Sequence, residues 1–453
     1  MKLRKLRFVH GSTFLIFFLL ISTSGVAQGN LDVWGTVPSP SRGNKASDLK
    51  GIAAVASDDI WAVGEFNPGI PPTETGRRTL IEHWDGTSWS VVRSPDPNWE
   101  GLDYATLEAA DYGASNDVWA VGYSEDFASL RLNTLAMHWD GSRWRIVPTP
   151  NPAGLNQPNQ LFGVAAVATE NVWAVGRVDL NSNPLILHWD GTRWQAVRNN
   201  CGSGALHGVT AISATDIWAV GEGISCHYDG ANWTAVPVPP ANGSITIFDV
   251  SASASNDVWA VGQYIYCVDE HCDAFPYAIH WNGSQWQATN LPGVILSGVL
   301  ALAPNNVFAV GTYSVGTLII RWDGSRWATV ASPDPETGGF LNKIAATNSG
   351  ELWAVGSYYT FDYKEKTLVE QAPSKTQGTL VGDTNVADAV VTWIGPVNGS
   401  TPTDTFGRYQ AAGLPAGRYS VIVSYGGCNP DAANVEIVAG EITTQDFHLQ
   451  CSQ

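Results

Sequence analysis

From Gly51 onward the apolar positions fall into short runs separated by polar clusters. Gly51 to Ala56, Ile60 to Gly64, Thr79 to Trp84 and Trp89 to Arg93 are rich in Val, Ile, Ala and Trp on alternate and adjacent positions. Such runs predict four short strands buried on both faces. The interruptions Ser57-Asp58-Asp59 and Asp85-Gly86 are built from residues that bond their own backbone or accept a positive φ, which predicts tight turns.

This pattern repeats every roughly 40 to 58 residues. One phrase recurs as DIWAVG from Asp59, DVWAVG from Asp117, NVWAVG from Asn171, DIWAVG from Asp216, DVWAVG from Asp257, NVFAVG from Asn306 and ELWAVG from Glu351. A second trails the first six copies: HWDGTSW from His83, HWDGSRW from His138, HWDGTRW from His188, HYDGANW from His227, HWNGSQW from His280 and RWDGSRW from Arg321. Four strands per unit is the content of a propeller blade, so the pattern predicts an all-β, seven-bladed β-propeller over residues 28–373. The seventh unit lacks its turn and outer strand after Glu370, whereas Trp34, Val37, Ser39 and Pro40 repeat the outer-strand spacing of Trp89, Val92, Ser94 and Pro95. The N-terminal strand is therefore expected to close the array and remove its open edge.

These repeats resemble bacterial secreted propellers related to the Asp-box and photosystem II assembly factor-like groups, whose turns also read Asp, Gly and then Trp. Beyond Pro373 the repeats stop. TLVGDTNVADAVVTW from Thr379, DTFGRY from Asp404 and GLPAGRYSVIV from Gly413 resemble the carboxypeptidase regulatory-like, or transthyretin-like, domain. That resemblance implies a small β-sandwich over 374–453, an accessory module with no peptidase activity of its own.

Lys2, Arg4, Lys5 and Arg7 precede an apolar run from Phe14 to Ile21 and the small residues Gly25, Val26 and Ala27, the pattern of a signal peptide over 1–27. An uncleaved anchor is the alternative, although the run falls short of the ~20 residues a span needs. Removing the four basic residues takes the formal charge from −18 to −22. So acidic a chain repels phosphate backbones, and the sequence shows no basic patch; neither nucleic acid nor, after signal cleavage, a membrane is an expected partner. An exported chain with six cysteines favours disulfides, and sequence neighbours suggest Cys201 with Cys226, Cys267 with Cys272 and Cys428 with Cys451. His271 between Cys267 and Cys272 suggests a metal site instead, but no second ligand pair completes a tetrahedral set, and no metal or cofactor is expected.

Residues present in every unit are explained by packing. The recurrent His83, His138, His188, His227 and His280, and the recurrent Trp and turn Asp residues, therefore read as scaffold. Function is expected where the units differ, in the long connections between second and third strands and between successive units. These share one side of a propeller and carry Trp99, Asp103, Tyr104, Phe127, Arg131, Asp269, Tyr358 and Tyr359. Aromatics beside carboxylates suit a polysaccharide or an extracellular protein partner. A secreted, non-catalytic recognition or scaffold protein is the expectation; the alternative is a glycoside hydrolase or lyase using carboxylates of the same face.

Overall fold

The computed structural model describes residues 34–451 except 44, 70–75, 96, 98–103, 127–130, 155–156, 269–270, 290, 292–294, 314–315, 334, 336, 373–376 and 439–441. The described residues are all-β and contain no α-helix, hence no helix long and apolar enough to cross a membrane. Seven four-stranded antiparallel sheets follow one another along the chain. The first comprises Ala46–Ala56, Asp59–Asn67, Arg78–Trp84 and Trp89–Val91. The next five repeat this order, each with a WAVG-type phrase as its second strand. The seventh takes Gly339–Ala346, Leu352–Tyr359 and Glu365–Gln371 from the end of the repeats and Gly35–Thr36 from the N-terminus. Gly35 pairs with Gln371 and Thr36 with Glu370, in the register of an outer strand.

The apolar residues form one cluster between each pair of successive sheets. Trp61, Val63 and Ile81 of the first sheet meet Leu107, Val118, Leu135 and Trp144 of the second. The same arrangement recurs down the chain, and Trp34 joins the cluster between the sixth and seventh sheets. A further cluster joins Trp353, Val355 and Val369 of the seventh sheet to Leu49, Ile60 and Leu80 of the first. Burial on both faces is why the strands read as continuous apolar runs rather than alternating ones.

The repeated phrases are explained by local chemistry. Asp59 Oδ1 accepts from Trp61 Nε1 at 2.9 Å and bonds His83 Nε2 at 2.9 Å, while the His83 and Trp61 ring centroids lie 4.2 Å apart. The contact between histidine and the acidic or amide residue recurs at His138, His188, His227 and His280, and Arg321 Nε donates to Asn306 in the sixth sheet. These histidines tie second strand to third, as their scaffold reading requires. Asp85 Oδ1 accepts from the Thr87 hydroxyl and from the Thr87 and Ser88 amides, which holds its carboxyl well below the usual range and leaves Gly86 at φ +91°. The glycine ending WAVG has a different cause: a Cβ on Gly64 would lie 1.9 Å from the Asp48 carbonyl oxygen.

The connections differ from expectation in two ways. Between the second and third strands of the fifth sheet, where the sequence reads as a loop, the chain forms a paired ribbon. Asp257–Val268 stays in register with His271–Trp281 as far as Val268 and His271. Stacked Tyr264 and Phe275 rings and the Cys267–Cys272 disulfide hold it. Tyr104, Arg131, Tyr358 and Tyr359, expected in loops, lie instead in the strands Tyr104–Ala114, Arg131–Trp139 and Leu352–Tyr359, because the strands flanking these connections pair further outward than their apolar runs extend.

The C-terminal segment adds a three-stranded sheet (Gln377–Asp383, Arg408–Pro415, Ile442–Thr444) and a four-stranded one (Val390–Ile394, Gly399–Pro402, Gly417–Ser424, Asp431–Ile437). Leu380, Val391, Tyr409, Val421 and Ile437 fill the core between them. Cys428 and Cys451 close a two-stranded ladder with a disulfide. A Cβ on Gly35 would lie 2.4 Å from the Ala412 side chain, so this module packs tightly on the N-terminal strand.

Candidate functional site

Every first strand skips a residue against its partner in its first half. Pairing steps from Leu49 to Gly51, from Leu107 to Ala109 and from Leu161 to Gly163, skipping one residue each time. The same shift occurs at Leu206/Gly208, Ile247/Asp249, Leu296/Gly298 and Leu341/Lys343. Such a bulge re-aims its extra side chain away from the ladder. The seven skipped residues, Lys50, Glu108, Phe162, His207, Phe248, Ser297 and Asn342, all line one cavity of about 280 Å³ together with Asp48 and Lys343. One residue from each sheet therefore converges on a common space.

Around the cavity an ion-pair network joins the first two sheets. Lys50 Nζ lies 2.9 Å from Glu108 and 3.4 Å from Glu65, and Arg77 lies 3.3 Å from Glu65. Burial opposes the Lys50 charge, but Glu108 and Glu65 outweigh it and hold the ammonium's pKa well above its ordinary value. Asp48 accepts from Asn342 Nδ2 at 2.9 Å; burial, opposed by Lys50, pushes its carboxyl up to about 7. Lys343 pairs with Asp249 at 2.5 Å, and Asp249 also accepts from the Val299 amide at 2.9 Å. An aromatic row continues from these groups: Tyr104 stacks on Tyr123, Tyr123 meets Phe162 edge-on, and Phe162 stacks on His207.

The residues expected from the sequence are distributed differently. Tyr104 is half-buried and donates its hydroxyl to Glu65 at 2.5 Å, which binds it to the network rather than leaving it exposed. Tyr358 is half-buried against the cluster between the sixth and seventh sheets. Tyr359 is 39% exposed and meets Phe340 edge-on. Arg131 opens a strand in register with Asp126. Trp99, Asp103, Phe127 and Asp269 lie outside the described residues. The three disulfides join Cys201 to Cys226, Cys267 to Cys272 and Cys428 to Cys451, the pairs the sequence neighbours suggest. Among the described residues no group of three His, Cys, Asp or Glu side chains is arranged to hold a metal ion.

The cavity residues themselves were missed. A signal for them exists in the sequence, because each follows a Leu or Ile one unit-length after the last, and four of the seven stand directly before a glycine, as in Leu49-Lys50-Gly51-Ile52 and Leu206-His207-Gly208-Val209. The residue after each WAVG glycine varies likewise, through Glu65, Tyr123, Arg177 and Glu222. Variation inside a fixed frame marks the side chains released from packing duty.

The C-terminal pair of sheets, with its Tyr409 and Tyr419 core and Gly-rich turns, has the composition and strand order already described. Residues 376–450 match the carboxypeptidase regulatory-like domain. No described residue of this domain lines the cavity. No curated protein matches the chain in sequence. Among solved structures, U3-55K is 12% identical, with a TM-score of 0.50, over 76% of this chain and 100% of its own; the likeness is one of propeller-like fold alone. The extracellular domain of the hybrid two-component system BT3049 from B. thetaiotaomicron is 9% identical over 92% of this chain and 58% of its own, at a TM-score of 0.47. PorZ, a bacterial surface component of the type-IX secretion system of Porphyromonas gingivalis, is 9% identical over 86% and 81%, at 0.37.

Proposed function

We propose that the chain is an exported, non-catalytic recognition protein: a seven-bladed β-propeller closed by its N-terminal strand, which takes a glycan or protein ligand at the mouth of its central channel. Closure is supported by the Gly35–Thr36 pairing and by the cluster shared between the seventh sheet and the first. Export is supported by the signal-like N-terminus and by three disulfides. The single observation that carries the recognition reading is the convergence of all seven bulge residues on one cavity. Repeat-equivalent positions that packed alone would stay alike; these carry a lysine, a glutamate, aromatics and small polar groups. Their end of the first strands lies toward the long connections, so Tyr359 and the exposed Phe361 and Tyr363 extend the same face. The carboxypeptidase regulatory-like domain acts as a spacer or second binding module.

Glycan cleavage is the second reading, and Asp48 favours it: a carboxyl whose pKa is pushed up to about 7 by burial, with Glu365 and Glu65 nearby, has the makings of a general acid. One experiment separates the two. The mature chain is screened against soluble and insoluble polysaccharides, with mass spectrometry of the products. Retention without new products supports recognition. Shortened or unsaturated sugars overturn it, and neither outcome on any polysaccharide moves the ligand to a protein.

A further inference from the structure

The cavity has two unlike walls. Phe162, His207 and Phe248, from the third, fourth and fifth sheets, form an aromatic arc with centroid separations of 5.0 and 6.2 Å. The wall from the seventh, first and second sheets is polar, and its cations are already matched by carboxylates: Lys50 by Glu108 and Glu65, Lys343 by Asp249. An anionic ligand finds no uncompensated cation there, and a cationic one must compete with the ammonium already seated on Glu108, Glu65 or Asp249, while Asp48, the remaining lining carboxyl, is held by Asn342 and driven by burial toward its neutral form. Asn342 and Ser297 add an amide and a hydroxyl to the lining. The His207 Nε2 atom is buried with no hydrogen-bond partner and stands 3.9 Å from Glu222. Burial lowers its pKa, so the imidazole is a neutral ring in this wall. Volume restricts the occupant too. About 280 Å³ is at the small end of ligand sites, which run to roughly 300–1,000 Å³; it suits one ring and its waters, not a folded protein surface.

We infer that this cavity binds one uncharged pyranose unit of a glycan, its C–H face against Phe162, His207 and Phe248 and its hydroxyls toward Asn342, Ser297 and Lys343. Apolar sugar faces and hydroxyl edges match an aromatic wall opposite balanced polar groups. The inference rests on the recognition reading above and narrows its ligand from glycan or protein to neutral glycan.

The test is titration calorimetry of the full mature chain with neutral, uronic-acid and amino-sugar trisaccharides. Ser297→Trp fills the cavity from a position outside the core clusters, and near-ultraviolet circular dichroism checks that it folds. The expected result is binding of at least one neutral trisaccharide, at least tenfold weaker binding of the charged ones, and at least a tenfold loss in S297W. Phe162→Leu, which removes a ring of the arc but lies outside the clusters between sheets, is expected to lose about fivefold and serves if S297W does not fold. Preference for a charged sugar, undiminished binding by the variants, or no neutral sugar bound overturns the inference. If S297W still retains whatever polysaccharide the wild type retains, the cavity is not the site while long-face recognition stands. If the wild type retains no polysaccharide and captures no protein, the recognition reading fails with it.

Discussion

Glu82 offers the sharpest test of how the N-terminal strand is held. It occupies the third-strand position opposite Ala62, where the next five sheets place Met137, Leu187, Cys226, Ile279 and Ile320. In the first sheet that position faces the seventh, and Glu82 is fully buried there. Ser39 donates to its Oε2 at 2.6 Å, while Oε1 is buried without a partner. Burial, only partly offset by the Ser39 hydroxyl, raises its pKa from 4.5 to about 8. Between those values the folded chain keeps a proton that the unfolded chain has released, so stability falls as pH rises through that window and levels off above it. The full difference corresponds to about 5 kcal/mol. Glu82→Gln removes the titration, and Glu82→Met restores the apolar pattern of the second sheet. Chemical denaturation with disulfides intact, at pH 4.5, 6, 7.5 and 9, is expected to show the gap between wild type and E82Q widening steadily in favour of E82Q. A gap that stays constant across that range refutes the reasoning, because a carboxylate tolerated at this interface would titrate alike folded and unfolded.

Other perturbations probe the frame. Gly64→Ala drives a methyl onto the Asp48 carbonyl at 1.9 Å and is expected to destabilise by about 3 kcal/mol or more, read as a fall in thermal midpoint. His83→Ala loses the Asp59 hydrogen bond and the Trp61 ring contact; about 1–2 kcal/mol should go, with ligand retention unchanged. Lost retention at normal stability would return the recurrent histidines to the functional list. Serine at both Cys201 and Cys226, a buried pair 25 residues apart, is expected to cost about 3 kcal/mol in denaturant titration. Trp34→Ala empties a fully buried indole site between the sixth and seventh sheets and is expected to cost about 3–5 kcal/mol. An unchanged midpoint would mean that the N-terminal strand is dispensable.

The sequence by itself determined the repeat and its strands, because their causes are local: burial on both faces sets the apolar runs, Asp and Gly set the turns, and Asp59, Trp61, His83 and their counterparts close each unit from within it. It also placed the missing outer strand at Trp34 and Val37, since that spacing is copied from Trp89 and Val92. The carboxypeptidase regulatory-like domain was legible for the same reason, a dense local pattern of strands and Gly turns. Tertiary structure alone decided the site. Lys50, Glu108, Phe162, His207, Phe248, Ser297 and Asn342 are separated by whole repeats, and only the bulge in each first strand turns them toward one space. Tyr104 shows the converse: an aromatic next to acidic residues reads as an exposed loop contact until the fold brings Glu65 from the neighbouring sheet onto its hydroxyl. Periodicity records which way a side chain points within its own sheet; what it meets there depends on the other six.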